Sequence, residues 1–396
     1  MHIHIKKENE SIKDIAEGYG VWEEHLRQMN NLFGSEPAMG EELLLLTPTR
    51  SYTVQHGDSI EKIAVRFGVG KRDLLSQNPW ISTEGVNVGD RLALKYSEPV
   101  GGMAVANGYF YKDCSKKALL RALPFLTYVT FGSAIAEKNR IYRTFDDKKE
   151  VELIGEEKKI PLVRIYDRYT ERYKSGEDQT PFAEGLIELA KMGGYKGIVI
   201  DACALNNYAE EFSAFLIVLR KLMIGCDLIL ITEINENSPI EFSEYADGSI
   251  MYYPKYAYDN PPSFDNGERK VLSDFACRGE SAKTFVDLPS LATHKGQHIT
   301  YDEAMKKARK GNQSIIHNES TLLSAFGDRK QGECVFSSLK NIKSLLDAVR
   351  EFDYMGVCFD IMRTPLAHLM MYNSMFKTYI FNSVRTREGC SRAVEE

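Results

Sequence analysis

The sequence predicts an α/β protein: a parallel (β/α)8, or TIM, barrel preceded by two small β-α-α-β units. Three observations carry this reading. The first hundred residues repeat themselves with a period of about 48. Beyond a Pro- and Gly-bearing run, Ser97-Glu98-Pro99-Val100-Gly101-Gly102, eight short apolar segments alternate with helical patterns over nearly 290 residues. A chain of 396 residues is too long for one ordinary core and too short for several large ones, so one large domain with small modules fits.

The repeat comes first in the chain. Ser11-Ile12, Ile15-Ala16, Gly20-Val21, Leu26 and Asn30 recur as Ser59-Ile60, Ile63-Ala64, Gly68-Val69, Leu74 and Asn78. Gly40 and Leu43 recur as Gly89 and Leu92, one residue further on. In each copy an alternating segment (2–6, 52–55) predicts a strand, and Ile12, Ile15, Ala16 or Ile60, Ile63, Ala64 fall on one helical face. A second short helix and a closing strand (43–46, 91–94) complete each unit, with bounds at 1–48 and 49–97.

The second copy, Tyr52-Thr53-Val54-Gln55-His56-Gly57-Asp58-Ser59-Ile60 with Asn78-Pro79-Trp80-Ile81 and Val88-Gly89-Asp90-Arg91-Leu92, resembles the LysM module. The first resembles it in degenerate form, with Lys7-Glu8-Asn9-Glu10 where the Gly-Asp loop would be. The resemblance implies binding to the N-acetylglucosamine backbone of peptidoglycan or chitin, through the loop after the first strand and the loop before the last. Gly57, Asp58, Ser59, Asn78 and Trp80 are the candidate glycan-binding residues. Gly57 and Asp58 can offer backbone donors at a helix start, where Asp58 or Ser59 also suits a cap. Trp80 can stack on a sugar, or with Trp22 fill a small core.

The eight candidate strands are 104–110, 128–132, 161–165, 197–200, 228–232, 249–253, 284–288 and 356–360. Helical spacing marks 115–122, 182–192, 210–223, 301–310 and 338–352. This alternation places a barrel over 98–385, before a tail of 386–396, and puts its chemistry at the strands' C-terminal ends. A doubly wound open sheet is the main competitor. No G-x-G-x-x-G run follows the first strand, so a dinucleotide site has no support.

Composition removes several function classes. A net charge of −6 without long Lys/Arg runs gives no footprint for nucleic acid. No stretch approaches the roughly 18 apolar residues of a membrane span, and residues 1–11 lack the apolar core of a signal peptide. The expectation is a chain made in the cytoplasm. Seven scattered cysteines without a C-x-x-C pair predict reduced structural thiols, with no metal and no cofactor.

The order of segments resembles glycoside hydrolase family 18 barrels of the spore cortex-lytic type. The residues that carry it are the runs 122–130 and 194–201, Ile250-Met251-Tyr252-Tyr253, 299–304 and 347–356. The resemblance implies a strand-four motif D-x-x-D-x-D-x-E, whose Glu protonates the leaving oxygen while the preceding Asp positions the substrate acetamido group, a substrate-assisted route. Here the four positions are Lys196, Val199, Asp201 and Cys203, so only the third is kept. A thiol with pKa ~8.5 is a poor proton donor to a glycosidic oxygen. The family tyrosine matches Tyr253, followed by Pro254 rather than Asp. The tryptophan expected beneath the sugar at the last strand is Asp360, and both tryptophans of the chain lie in the repeats.

Glu233, Asp287 and Asp360 close other strands, and with Asp201 are the possible substitute acids, although strand-end carboxylates often serve caps and ion pairs. Cys203 as a nucleophile would need a base such as His294 or His317; as a small residue it would simply fill the donor's place. The expected protein is a wall-associated, catalytically silent relative that binds peptidoglycan or a chitin-like polymer. By family analogy it sits in the coat or cortex of a spore, beside envelope proteins, away from nucleic acid and membrane. The alternatives are an active N-acetylglucosaminidase using relocated acids, and a barrel whose own groove holds glycan.

Overall fold

The computed structural model describes residues 1–97, 99, 101–138, 140–168, 170–173, 178–252, 267–327 and 332–378. The predicted repeat folds twice. Strands β1 (His2–Ile5) and β2 (Glu42–Leu45) pair antiparallel around helices α1 (Ile12–Tyr19) and α2 (Glu23–Met29). In the second unit β3 (Arg50–Thr53) pairs with β4 (Arg91–Lys95) around α3 (Ile60–Phe67), α4 (Lys71–Gln77) and the short α5 (Ile81–Glu84). The repeated residues explain the repeated shape. Ser11 and Ser59 each cap a first helix by accepting from the third backbone amide on, and Gly20 and Gly68 end it at φ 63° and 64°.

Asn30 and Asn78 do the same work in their units. Asn78 donates through Nδ2 to the carbonyls of Leu74 and Ala93 and accepts the Ala93 amide at Oδ1, at 2.7–2.9 Å. Asn30 ties Leu26 and Leu44 in the same way. Each side chain thus fastens the second helix to the closing strand.

The large domain opens with β5 (Met103–Phe110), α6 (Lys116–Ala122), β6 (Tyr128–Glu137), β7 (Arg140–Arg143) and α7 (Lys148–Glu156). It continues through β8 (Ile160–Asp167), α8 (Thr180–Gly193), β9 (Gly197–Asp201), α9 (Ala209–Met223), β10 (Ile229–Ile234) and α10 (Glu241–Glu244). Then come β11 (Gly248–Met251), α11 (Gly267–Ala276) and β12 (Thr284–Asp287). A lobe follows, made of β13 (Leu291–His294), β14 (Gln297–Thr300), α12 (Tyr301–Lys310), β15 (Ile316–His317), β16 (Leu323–Phe326) and β17 (Cys334–Ser337). The chain finishes its described part with α13 (Leu339–Glu351), β18 (Gly356–Asp360), α14 (Leu366–Met375) and β19 (Lys377–Thr378).

Eight parallel strands close a ring in the order β5-β6-β8-β9-β10-β11-β12-β18, and β18 returns to β5. The barrel, rather than the open sheet, is therefore the fold. All eight predicted strands are present. Alternate residues fill the interior: Val105, Tyr128, Leu162, Val199, Ile231, Ile250 and Phe285 face one another inside, while the intervening residues meet the helices. Closure needs Gly356, since a Cβ there would lie 1.8 Å from the Val105 carbonyl oxygen.

One expectation is corrected. The helix at 301–310 is not part of the barrel's alternation; α12 packs on the five-stranded antiparallel sheet β14-β13-β17-β16-β15 of the inserted lobe. Its strands are only two to four residues long and half-polar, so they leave little apolar signal.

Candidate barrel-mouth and repeat sites

Interior-facing alternation continues to the C-terminal ends of the strands, and it brings polar residues together there. Arg164 follows Leu162 on β8, Asp201 follows Val199 on β9, and Glu233 follows Ile231 on β10. Asp201 and Glu233 are register partners on adjacent strands. Arg164 joins them: its Nε lies 2.7 and 2.8 Å from the two Glu233 oxygens, and its Nη2 lies 2.6 Å from Glu233 and 3.0 Å from Asp201. The Tyr109 hydroxyl donates to Glu233 at 2.9 Å. Burial pushes the Glu233 carboxyl up from its ordinary value, opposed by the guanidinium and by that hydroxyl.

Cys203 stands just beyond, half-buried. Its amide donates to Asp201 Oδ1 at 3.1 Å, and its carbonyl accepts from Asn235 at 2.9 Å. Burial, aided by the Asp201 and Glu233 charges, pushes the thiol up, so the sulfur keeps its proton at neutral pH. The two histidines weighed as its base are elsewhere. His294 lies on β13 and His317 on β15, both in the inserted lobe, and His317 donates to the Gly40 carbonyl of the first repeat while bonded to Ser324. A thiolate nucleophile therefore has no support from the described contacts.

Asp360 closes the turn after β18. It accepts the amides of Met362 and Arg363 at 3.0 Å and pairs with the Arg363 guanidinium at 2.9 Å. Asp287 is half-buried at the end of β12, close enough for its charge to add to burial in holding the Tyr111 and Tyr252 hydroxyls protonated. Tyr253, with Pro254, lies outside the described residues. Sequence reading missed Arg164 and Tyr109. The signal for Arg164 was a lone arginine in the apolar run Ile160-Pro161-Leu162-Val163, in step with the inward positions 160 and 162.

In the second repeat the candidate side chains are engaged within the unit. Asp58 accepts from the Tyr52 hydroxyl at 2.6 Å and the Gln55 amide at 2.8 Å, and pairs with Arg66 at 2.8 Å. Ser59 caps α3 through the Lys62 amide at 3.2 Å. Asn78 is wholly buried in its strap, and Trp80 is 8% exposed, edge-on to His25 of the first repeat with ring centres 4.8 Å apart. Gly57, at φ +80° with open space around its Cβ position, leaves the loop backbone accessible. The first repeat keeps the same loop in different residues. His4 bonds Glu10 at 2.8 Å, the Lys7 amide donates to Glu10 at 3.0 Å, and Asn9 takes φ 56° where Gly57 stands in the second. Asparagine tolerates that left-handed conformation, so the altered sequence retains the shape.

Comparison with known proteins agrees with this architecture. Residues 52–95 match the family profile of the LysM domain. The chain is 23% identical over 232 residues to YdhD of Bacillus subtilis strain 168, provisionally named a sporulation-specific glycosylase; the match takes in 56% of this chain and spans about half the relative's length, 55%. Among solved structures, the spore cortex-lytic enzyme SleL of Bacillus cereus superposes with a TM-score of 0.70 at 16% identity, over 96% of this chain and 98% of that one. SleL of Bacillus megaterium QM B1551 gives 0.72, also at 16% identity, over 96% and 99%. At such identity the likeness to SleL is one of fold, and it extends from the repeats through the barrel.

Proposed function

We propose that this chain is a binding protein for N-acetylglucosamine glycans of the peptidoglycan or chitin kind, whose barrel has the form of a glycosidase but does not hydrolyse its ligand. The units would run over 1–48, 49–97 and 98–385. A place in the spore coat or cortex, among envelope proteins, is part of the same reading; it draws on the names of YdhD and SleL.

Two observations together carry the proposal: a thiol at position 203, and Arg164 bound to both neighbouring carboxylates. Glycoside hydrolysis needs a carboxylic acid that holds its proton until it meets the leaving oxygen. Cys203 stands where that acid would be, with its thiol pushed up by burial. The nearest carboxylates, Asp201 and Glu233, are bound to one guanidinium, and Glu233 is shut away from solvent. Such a group is held by the guanidinium and sealed from solvent, out of reach of a sugar oxygen in the mouth.

A second reading has one observation in its favour: burial raises the Glu233 carboxyl beside Asp201, as a general acid requires. On that reading the protein is an N-acetylglucosaminidase of cortex peptidoglycan, with Asp287 and Asp360 as further substitutes. The test is hydrolysis of purified spore cortex peptidoglycan and a chito-oligosaccharide by the parent, Cys203→Glu and Glu233→Gln, with sedimentation on the same peptidoglycan. No turnover by a folded parent that still sediments is the expected result. Turnover by the parent, lost in Glu233→Gln, would establish the second reading instead.

A further inference from the structure

Beyond the ring, β6 and β8 run on past the barrel wall, and β7 folds back along β6. In this extension Ile135 is the register partner of Tyr142 on one side and of Tyr166 on the other. The three residues therefore form one row across three adjacent strands. Their neighbours define the face. Ile141 meets the α8 helix at Gly185, Arg143 pairs with Asp147 of the wall, and Asp167 binds Arg172, so these point outward. Tyr142, Ile135 and Tyr166 point the other way, and Tyr166 follows Arg164 on the side that lines the mouth.

Both rings are open to solvent, Tyr142 by 40% and Tyr166 by 47%. A single exposed tyrosine needs no explanation. Two at matched register on one sheet face, separated by a branched aliphatic residue and set at the barrel end where this fold binds ligands, are a different matter. The rings are also held. Tyr142 is hydrogen-bonded to Glu137, which pairs with Arg168 at 3.1 Å, and the guanidinium carbons of Arg164 and Arg168 each stand 5.9 Å from the Tyr166 ring centre. Arg140, Glu137 and Arg168 form the next row out on the same face.

Two strand spacings separate the tyrosines, about 9–10 Å, close to the length of two linked pyranose residues. In a β-1,4-linked chain successive sugars are turned by half a rotation, so every second ring presents the same face. An aromatic, an aliphatic residue and an aromatic in that order suit such a chain. We propose that the Tyr142–Ile135–Tyr166 row is a glycan platform, on which alternate rings of a β-1,4-linked N-acetylglucosamine chain stack while Arg140, Glu137 and Arg168 meet its hydroxyl and acetamido groups. The proposal rests on the glycan-binding reading above and gives the barrel a sugar surface of its own, at the lip and not over the position taken by Asp360.

The experiment is titration calorimetry of the full chain with chitohexaose, for the parent, the double variant Tyr142→Ala/Tyr166→Ala and the double variant Tyr142→Phe/Tyr166→Phe, with thermal unfolding to confirm equal folding. The alanine pair should weaken the barrel's share of binding about tenfold or remove it from the stoichiometry, as expected for two lost stacking contacts, and the phenylalanine pair should bind as the parent does. An alanine pair that matches the parent in affinity and stoichiometry overturns the platform while leaving glycan binding to the repeats. Loss in the phenylalanine pair equal to that in the alanine pair overturns stacking. A parent that binds no chitohexaose overturns the glycan-binding reading itself.

Discussion

The two repeats began from one pattern and have parted in what surrounds them. Their internal frames agree: a serine cap, a glycine stop, an asparagine strap and a loop held by a carboxylate. The loop before the last strand is where they differ. In the second repeat Asn87, Val88 and Gly89 are exposed or half-exposed. In the first, Ala38, Gly40, Glu41 and Glu42 are buried under the inserted lobe. Arg309 of α12 binds Glu41 and the carbonyls of Asn30 and Asn31, His317 binds Gly40, and the Ile315 amide donates to Met39 at 2.8 Å. The same fold thus presents a free surface in one copy and serves as a strut in the other. Whatever the LysM-like units bind, the first repeat's second loop is closed to it.

The contrast can be broken most strongly at the clasp. Arg309→Ala leaves Glu41, 2% exposed, without its counter-ion, and should destabilise the protein by about 3–5 kcal/mol. Chemical denaturation reads this directly, and an unchanged midpoint would show that the first repeat does not depend on the lobe. Next comes the glycine that recurs in both units. Gly40 has φ +78°, and a Cβ placed on it would stand 2.1 Å from the Ile315 carbonyl oxygen, whereas Gly89 has φ +94° and open space. Gly40→Ala should cost about 2–4 kcal/mol, Gly89→Ala about 1–2 kcal/mol from backbone strain alone. Equal losses in thermal unfolding would mean that the buried loop relaxes freely.

A third effect, present only in acid, lies in the joint between the repeats. His25 packs between Trp22 and Trp80 and donates to the Arg91 carbonyl at 2.6 Å; burial holds its imidazole down at about 4. The folded state keeps His25 neutral while the unfolded chain takes up a proton below about 6.5, so stability falls as pH drops from about 6.5 to about 4, by up to roughly 3 kcal/mol, and this loss stops below that window. Denaturation midpoints for the parent and His25→Leu at pH 7 and pH 4.5 should converge as the pH falls. A parallel pH dependence in the two proteins would remove His25 from the acid response.

Much of this was legible because it is local. Eight apolar runs gave eight strands, serines at two helix starts gave two caps, and strand-end alternation put Asp201, Glu233, Asp287 and Asp360 on the interior side of the mouth. What stayed hidden depends on register. Arg164 meets carboxylates 37 and 69 residues away, and no pattern within β8 names them. Trp80 read equally as a sugar contact or as core filling with Trp22, and it packs on a histidine from the other repeat; Asn78 read as a ligand contact, and its side chain ties its own strand. The first loop read as degenerate because Asn9 and Glu10 differ from Gly57 and Asp58 in sequence while matching them in backbone shape and bonding.

The clasp also sets an order of events. Glu41 and Arg309 are separated by 268 residues, so on a ribosome the first repeat emerges long before the arginine that neutralises it. Its cap, strap and small core can form at once, because those contacts are local. Its docking must wait until seven of the eight barrel strands and the lobe helix have been made. The first unit to be synthesised is therefore among the last to be fixed in place, and an amide-exchange pulse during refolding should find the Ile315 amide, which donates to Met39 across the contact, protected later than the Gly40 and Glu41 amides, which bond within the repeat.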